Sequence, residues 1–139
     1  MLELLATACA GLFSGAAIYI SVVQHPASLQ AGDAMAAGFL PPMYRRAAPM
    51  QGGLAIVGSL AALVAWLLGS GALWLIGALL LGFVVPFTIL VIKPINDQLL
   101  DPGLEPSDPK VPGLLRRWGE LHHVRSASST LALLLFLLG

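Results

Sequence analysis

A stripe of polar residues near the C-terminus has residue types and a spacing that could serve a reaction. The intervals are four, three and four residues along the series Trp118, His122, Arg125 and Ser129. On a helix, these intervals place all four side chains on one face. An imidazole can exchange a proton, and a guanidinium can hold an oxyanion by charge and hydrogen bonds. The stripe is therefore suited to proton transfer beside a bound anion.

The guanidinium of Arg125 lies about two turns inside an apolar stretch and needs a counter-charge or hydrogen-bond acceptors there. We expect Asp97 or Glu120 to supply the counter-charge. Other polar residues gather at the same end of the other apolar stretches, whereas the opposite ends hold Leu, Ala, Gly and Val. This clustering predicts one pocket. The residues that we expect to converge on it are His25, Tyr44, Arg46, Gln51, Asn96, Asp97, His122 and Arg125.

Some of these residues have simpler interpretations. Arg46 can extend its charge to lipid headgroups instead of lining a pocket. Trp118 by itself would be an anchor at the membrane interface. Small residues along the first apolar stretch, including Gly11 and Gly15, predict close helix packing. His25 ends that stretch, and neither packing nor lipid contact requires an imidazole there.

Composition identifies the environment of these residues. Of 139 residues, 58% are hydrophobic and only 10% are charged, whereas a soluble domain has about 25% charged residues. The net charge of zero argues against a nucleic-acid partner. The single cysteine, Cys9, excludes an intrachain disulfide and a cysteine zinc site. The chain is therefore predicted to be a membrane protein with one domain, residues 1–139.

About 20 apolar residues cross a bilayer as a helix. Four such spans are predicted, at about 4–23, 47–68, 72–92 and 116–138. The fold class is thus all-α, an integral membrane antiparallel four-helix bundle. We expect the first span to be an uncleaved helix, because it lacks the basic start of a signal peptide. Pro86 is expected to kink the third span.

The connections between the spans are predicted to differ. Residues 69–71 are predicted to form a tight turn. The first loop is expected to be long, from His25 to Arg46, with a short interfacial helix over 26–39 that ends at Pro41 and Pro42. The loop at 101–112 contains four prolines and should be mobile.

Basic residues indicate the orientation. Six of the seven lie in or beside the first and third loops, namely Arg45, Arg46, Lys93, Lys110, Arg116 and Arg117. The positive-inside rule places these loops in the cytoplasm and both termini outside. We expect the membrane to be a bacterial inner (plasma) membrane.

Four segments resemble a known family. They read YISVVQHPASL, LPPMYRRAAPMQ, PFTILVIKPINDQLLD and LLRRWGELHHVRS, and they fall in all four spans. In these motifs the chain resembles a four-helix membrane family, largely of unknown function, that includes the fungal anthrone oxygenases. The resemblance implies an anthrone oxygenase-like monooxygenase, which converts a reduced tricyclic anthrone to an anthraquinone with dioxygen. An anthrone- or quinol-like substrate is therefore expected.

The residues fit this chemistry as a hypothesis. His122 would be the base, and His25 a second acid/base or an orienting group. Arg125 and Arg46 would stabilise the oxyanion. The residues expected to bind substrate are Tyr44, Gln51, Asn96 and Trp118.

No cofactor is expected for this reaction, and the expected partners are membrane lipid and a hydrophobic small molecule. Three alternatives stay open. A metal or haem could be held by histidines, although His122 and His123 point about 100° apart on a helix. The protein could also be a non-enzymatic scaffold or a transporter component. The sequence leaves open whether it forms a homo-oligomer.

Overall fold

Four long helices make up the protein, as the sequence predicted. The computed structural model describes residues 1–139. The helices are α1 (Leu2–Gln30), α2 (Asp33–Leu67), α3 (Ala72–Leu99) and α4 (Val111–Leu138). Each is long enough and apolar enough to cross a membrane, and the chain contains no strand. The all-α, four-helix membrane fold is therefore confirmed.

The helices form an antiparallel bundle in which each helix packs against its neighbours in the chain and α4 closes the ring against α1. Glycines make the two tight reversals. Gly32, between α1 and α2, has a φ of 111°, and Gly69, between α2 and α3, has a φ of 107°. Only glycine adopts this backbone region readily. The expected turn over residues 69–71 is therefore confirmed.

The prediction of a long first loop is wrong. Only Ala31 and Gly32 separate α1 from α2, and α2 continues without interruption through Pro41, Pro42 and Pro49. A proline removes one helical hydrogen bond, but in membrane helices neighbouring groups and water can satisfy the carbonyl that is left free. The chain therefore reverses at the glycine and not at the prolines.

All four helices extend beyond the predicted spans at the end that carries most of the basic residues, called here the basic end. There α1 continues past residue 23 and α3 past residue 92, whereas α2 begins before 47 and α4 before 116. With 35 residues, α2 is about 52 Å long, against about 30 Å for the hydrocarbon core of a bilayer. The basic end thus projects beyond the hydrocarbon core.

Two helices contain a wide π-helical turn. The turns are Ile20–Gln24 in α1 and Thr88–Ile92 in α3. Each comes directly before a residue–proline pair, at Pro26 and Pro94, where the proline cannot donate to the helical ladder. Such turns are frequent at functional sites. They also change which side chains face the bundle interior from that point onward.

At Gly58, α2 packs tightly against two neighbouring helices. A Cβ atom there would lie 2.8 Å from Cys9 Cβ and 2.8 Å from Leu81 Cδ2. The sequence predicted close packing at Gly11 and Gly15 instead. That prediction is wrong for Gly15, which faces open space, because Gly15 lies on the outer face of α1 whereas Ser14 and Ala17 face the bundle interior.

Two apolar cores fill the bundle. One includes Phe13 and Leu81, and the other, at the basic end, includes Ile92 and Leu115. The buried polar residues lie mostly beyond the first core, toward the basic end. These residues are Ser14, Ser21, His25, Gln51, Asn96, His122, Arg125, Ser126 and Ser129. The fold therefore brings polar groups from all four helices into one half of the bundle.

Candidate functional site

The α4 stripe is fully inside the bundle. Trp118 and His122 are each 2% exposed, Arg125 is 8% exposed and Ser129 is completely buried. The stripe faces the other three helices, as its spacing requires. Because Trp118 is buried, the alternative of an interfacial anchor is wrong.

The cation of Arg125 has no carboxylate partner. Its Nη2 donates a hydrogen bond of 2.8 Å to Gln51 Oε1. Its guanidinium carbon lies 5.4 Å from the centre of the Phe13 ring. Its Nε–H is buried without a partner. A buried charge of this kind is costly unless something compensates it. The arrangement is suited to an anionic or strongly accepting ligand.

The prediction that Asp97 or Glu120 supplies the counter-charge of Arg125 is wrong. Asp97 pairs with Lys93 at 2.7 Å, and Glu120 pairs with Arg117 at 3.2 Å. Both pairs are exposed on the helix surface, at spacings of four and three residues within one helix. Each carboxylate therefore pairs with a basic residue on the exposed surface of its own helix. Neither carboxylate reaches Arg125 in the bundle interior.

The amide of Gln51 has a fixed orientation. A guanidinium only donates hydrogen bonds, so the atom of Gln51 that faces Arg125 must be the oxygen. Its Nε2 then points elsewhere, and this nitrogen is buried without a partner. Gln51 and Arg125 thus present two unpaired donors, Nε2 and Nε, and no unpaired acceptor.

A cavity of about 180 Å³ opens beside this pair. Seven of its ten lining residues are hydrophobic, Tyr44 among them, and the polar ones are Arg125 and Thr88. An engineered cavity of about 150 Å³ in another protein binds benzene. The cavity therefore has room for an aromatic ring next to the guanidinium, with a larger ligand extending out between α2 and α3.

The two expected histidines form a separate cluster around Trp118. The ring centres of His25 and His122 lie 5.0 Å and 4.9 Å from that of Trp118. His25 Nε2 donates to the carbonyl of Leu115 at 3.0 Å. Trp118 Nε1 donates to Asn96 Oδ1 at 2.8 Å. The contact to a carbonyl requires a hydrogen on His25 Nε2, so its lone pair as a neutral imidazole is on Nδ1.

A chain of hydrogen bonds indicates the tautomer of His122. Ser126 Oγ donates to the His122 carbonyl at 3.3 Å, which uses its only hydrogen. Ser21 Oγ lies 2.8 Å from Ser126 Oγ and 3.0 Å from His122 Nδ1. Ser21 then donates to Ser126 and accepts from His122 Nδ1–H. This arrangement leaves His122 Nε2 without a hydrogen, as a base requires.

The expected site residues fall into three places. Tyr44 and Arg125 line the cavity, and Gln51 contacts Arg125. Arg46 is exposed and lines a different opening on α2. The remaining set belongs to the histidine cluster and does not line the cavity; it comprises His25, Asn96, Trp118 and His122. The two groups meet on α4, where His122 precedes Arg125 by three residues.

Three contributions to the site were missed by sequence reasoning. Ser126 completes the hydrogen-bond chain of His122, and Gly52 forms part of the cavity wall. Gly119 makes room for His25, since a Cβ atom at this position would lie 2.8 Å from the ring. A glycine inside a helix is unfavourable, so Gly119 beside Trp118 was the one detectable hint.

The side chains offer no ready metal site. No group of three or more His, Cys, Asp or Glu residues is placed to hold an ion. His123 is exposed and lies in a groove on the far side of α4, with Ile18. The metal alternative therefore does not fit the arrangement of these residues.

Comparison with known proteins identifies the family. A sequence model of the anthrone oxygenase family matches residues 40–135. No curated protein and no solved structure matches the chain. The matched region holds Gln51, Asn96, His122 and Arg125, and it begins after α1. Since the match takes in more than two thirds of the chain, this protein belongs to the anthrone oxygenase family.

Proposed function

We propose that the protein is a membrane-embedded oxygenase that acts with dioxygen on a small hydrophobic aromatic substrate of the anthrone or quinol type. One observation carries the proposal beyond family membership. Arg125 is buried in the membrane without a carboxylate partner, and it lines an apolar cavity. A buried cation without a counter-charge inside a membrane protein is a functional-site hypothesis by default.

The chemistry of an anthrone matches this cavity. Its CH₂ group is acidic because the anion is delocalised onto the ring oxygen. Loss of a proton gives an enolate, which the guanidinium would stabilise in a water-poor site. The electron-rich anion can then react with dioxygen. Overall, the CH₂ becomes a carbonyl that holds one atom of dioxygen, and the other atom leaves as water.

The proton would go to a histidine. His122 Nε2 carries no hydrogen in the arrangement described above. His122 lies one helical turn from Arg125 but does not line the cavity, so it would receive the proton through a bridging water. His25 would assist as a second acid/base or orienting group through its contact with Trp118. Tyr44 supplies a hydroxyl at the cavity wall. Arg46 is too exposed to act in the same cavity, so we assign anion stabilisation to Arg125.

The membrane would supply the substrate. A hydrophobic molecule dissolved in lipid can enter between α2 and α3, where the cavity opens. We assign the basic end to the cytoplasm and both termini to the outside of a bacterial inner membrane, because the basic residues concentrate at that end. Lipid and the hydrophobic substrate are the partners in this proposal, and nucleic acid is not.

The test is product formation with labelled oxygen. The protein in lipid nanodiscs is mixed with 1,8-dihydroxyanthrone under ¹⁸O₂, and empty nanodiscs correct for spontaneous oxidation. We expect faster formation of the anthraquinone than in the control, with one ¹⁸O in the new carbonyl. A rate equal to that of empty nanodiscs would overturn the proposal for this substrate class.

A further inference from the structure

The charge of Arg125 is not balanced by any carboxylate of the chain. None of the seven acidic side chains is buried, and Asp97 and Glu120 are paired at the helix surface. The other contacts of the guanidinium are with neutral groups, namely the Gln51 amide and the Phe13 ring. A buried cation is costly without an anion beside it. A balancing charge can therefore come only from a ligand.

One nitrogen of the guanidinium is available to such a ligand. Nη2 donates to Gln51, and Nε is unpaired but fully enclosed. Nη1 makes no hydrogen bond with the protein, and it is not among the enclosed atoms. Arg125 lines the apolar cavity described above. Nη1 is therefore the atom that an anionic oxygen in this cavity would meet.

Arg125 lies too deep in the membrane for a phospholipid headgroup. It is 14 residues from the start of α4 at Val111, which corresponds to about 21 Å. With 28 residues, α4 is about 42 Å long, against about 30 Å for the hydrocarbon core. Even if the whole excess length projects at the basic end, Arg125 lies about 9 Å inside the core. The anion must therefore belong to a small molecule that dissolves in the hydrocarbon.

A fatty acid meets this requirement. Its neutral form is soluble in the hydrocarbon, and a planar guanidinium matches the resulting carboxylate in shape and charge. Binding as the anion releases one proton to the buffer. Small residues of α2 form one wall of the cavity, namely Ala48, Gly52 and Ala55, and they leave room for the carboxyl end of an acyl chain. The rest of the chain can continue into the lipid between α2 and α3.

We propose that the Arg125 cavity binds free fatty acids, with the carboxylate on Nη1 of Arg125 and the acyl chain directed out between α2 and α3. A long-chain alcohol or a neutral lipid would fill the same space but leave the cation unbalanced. This binding does not rest on the oxidation proposed above. If the cavity also holds the aromatic substrate, the fatty acid should compete with that substrate.

The charge of the bound fatty acid tests the site directly. Dodecanoic acid labelled with ¹³C at the carboxyl carbon is added to the protein in phosphatidylcholine nanodiscs, and empty nanodiscs give the signal of the acid dissolved in lipid. The carboxyl chemical shift reports ionisation as the pH is lowered. We expect one additional resonance per protein, which stays ionised to about one pH unit or more below the lipid-dissolved acid. Absence of this resonance would overturn the proposal.

Two pairs of variants locate the bound acid. Arg125→Gln should remove the resonance by removing the cation, and Gly52→Leu should remove it by filling the cavity. Arg117→Gln changes an exposed ion pair, and Gly53→Leu changes a position outside the cavity, so both should keep it. If the resonance survives in Arg125→Gln, or if Gly53→Leu removes it, the acid binds elsewhere and the proposal is wrong.

A phospholipid headgroup is the remaining source of an anion. Replacing part of the phosphatidylcholine by phosphatidylglycerol should leave the resonance in place, because the phosphate groups lie outside the hydrocarbon core. Loss of the resonance in these nanodiscs would assign Arg125 to the headgroup and overturn the proposal. No turnover is measured in these experiments, so failure of the proposed oxygenase activity would leave their results interpretable.

Discussion

Filling the Arg125 cavity from its wall should block the reaction without harming the fold. Gly52 lines the cavity, and a Cβ atom there would have nothing within 4 Å. In Gly52→Leu, the four side-chain carbons would occupy roughly half of the cavity of about 180 Å³. The remaining space is too small for an aromatic ring, given that benzene occupies an engineered cavity of about 150 Å³.

The expected effect follows from the cost of overpacking. Forcing a ring into a filled site costs about 1–3 kcal/mol, which corresponds to roughly a five- to 150-fold loss of kcat/KM. The assay is dioxygen uptake with 1,8-dihydroxyanthrone in nanodiscs. Replacement of a helical glycine also removes a propensity penalty of about 1 kcal/mol, so the unfolding temperature should not fall.

The neighbouring glycine provides the control. Gly53 is exposed to lipid, does not line the cavity and also has open space around its Cβ position. Gly53→Leu should therefore keep its turnover while gaining the same helix propensity. Full turnover in Gly52→Leu, or an equal loss in Gly53→Leu, would refute the assignment of this cavity to the substrate.

Three further predictions concern the packing around the site. Gly119→Ala places a methyl group 2.8 Å from the His25 ring and should destabilise the protein by about 1–3 kcal/mol, measured as a lower unfolding temperature; an unchanged temperature would argue against this contact. Ser126→Ala should reduce the share of His122 that carries its hydrogen on Nδ1, as read from ¹⁵N chemical shifts, and an unchanged spectrum would contradict the hydrogen-bond chain. Gly58→Leu should prevent assembly of the bundle or lower its unfolding temperature, since the added atoms meet two neighbouring helices, and normal stability would show that the helices can separate there.

Periodicity within one helix was sufficient to predict the α4 stripe. Trp118, His122, Arg125 and Ser129 recur at helical intervals, and any helix that buries one of them buries the others. The membrane environment followed from composition alone, because so few charges cannot cover a soluble domain. These predictions depend on local chain geometry, which the sequence determines directly.

Contacts between helices were not predictable in the same way. Gln51 and Arg125 are 74 residues apart, and their meeting depends on how α2 and α4 are rotated about their axes. The π turns at Ile20–Gln24 and Thr88–Ile92 shift the faces of two helices partway along. Opposite charge alone therefore predicted Asp97 or Glu120 as the partner of Arg125, whereas the fold provides the neutral amide of Gln51.

The central claim is that Arg125 is buried for a ligand and not for stability, and Arg125→Gln tests it most directly. Burying a charge without a counter-charge is costly, so the unfolding temperature should be unchanged or higher when this charge is removed. Loss of one oxyanion-stabilising group should lower turnover by roughly 100-fold or more. Arg117→Gln, at an exposed pair with Glu120, serves as the control and should keep its turnover. A destabilised Arg125→Gln protein with the original rate of anthrone oxidation would contradict the account.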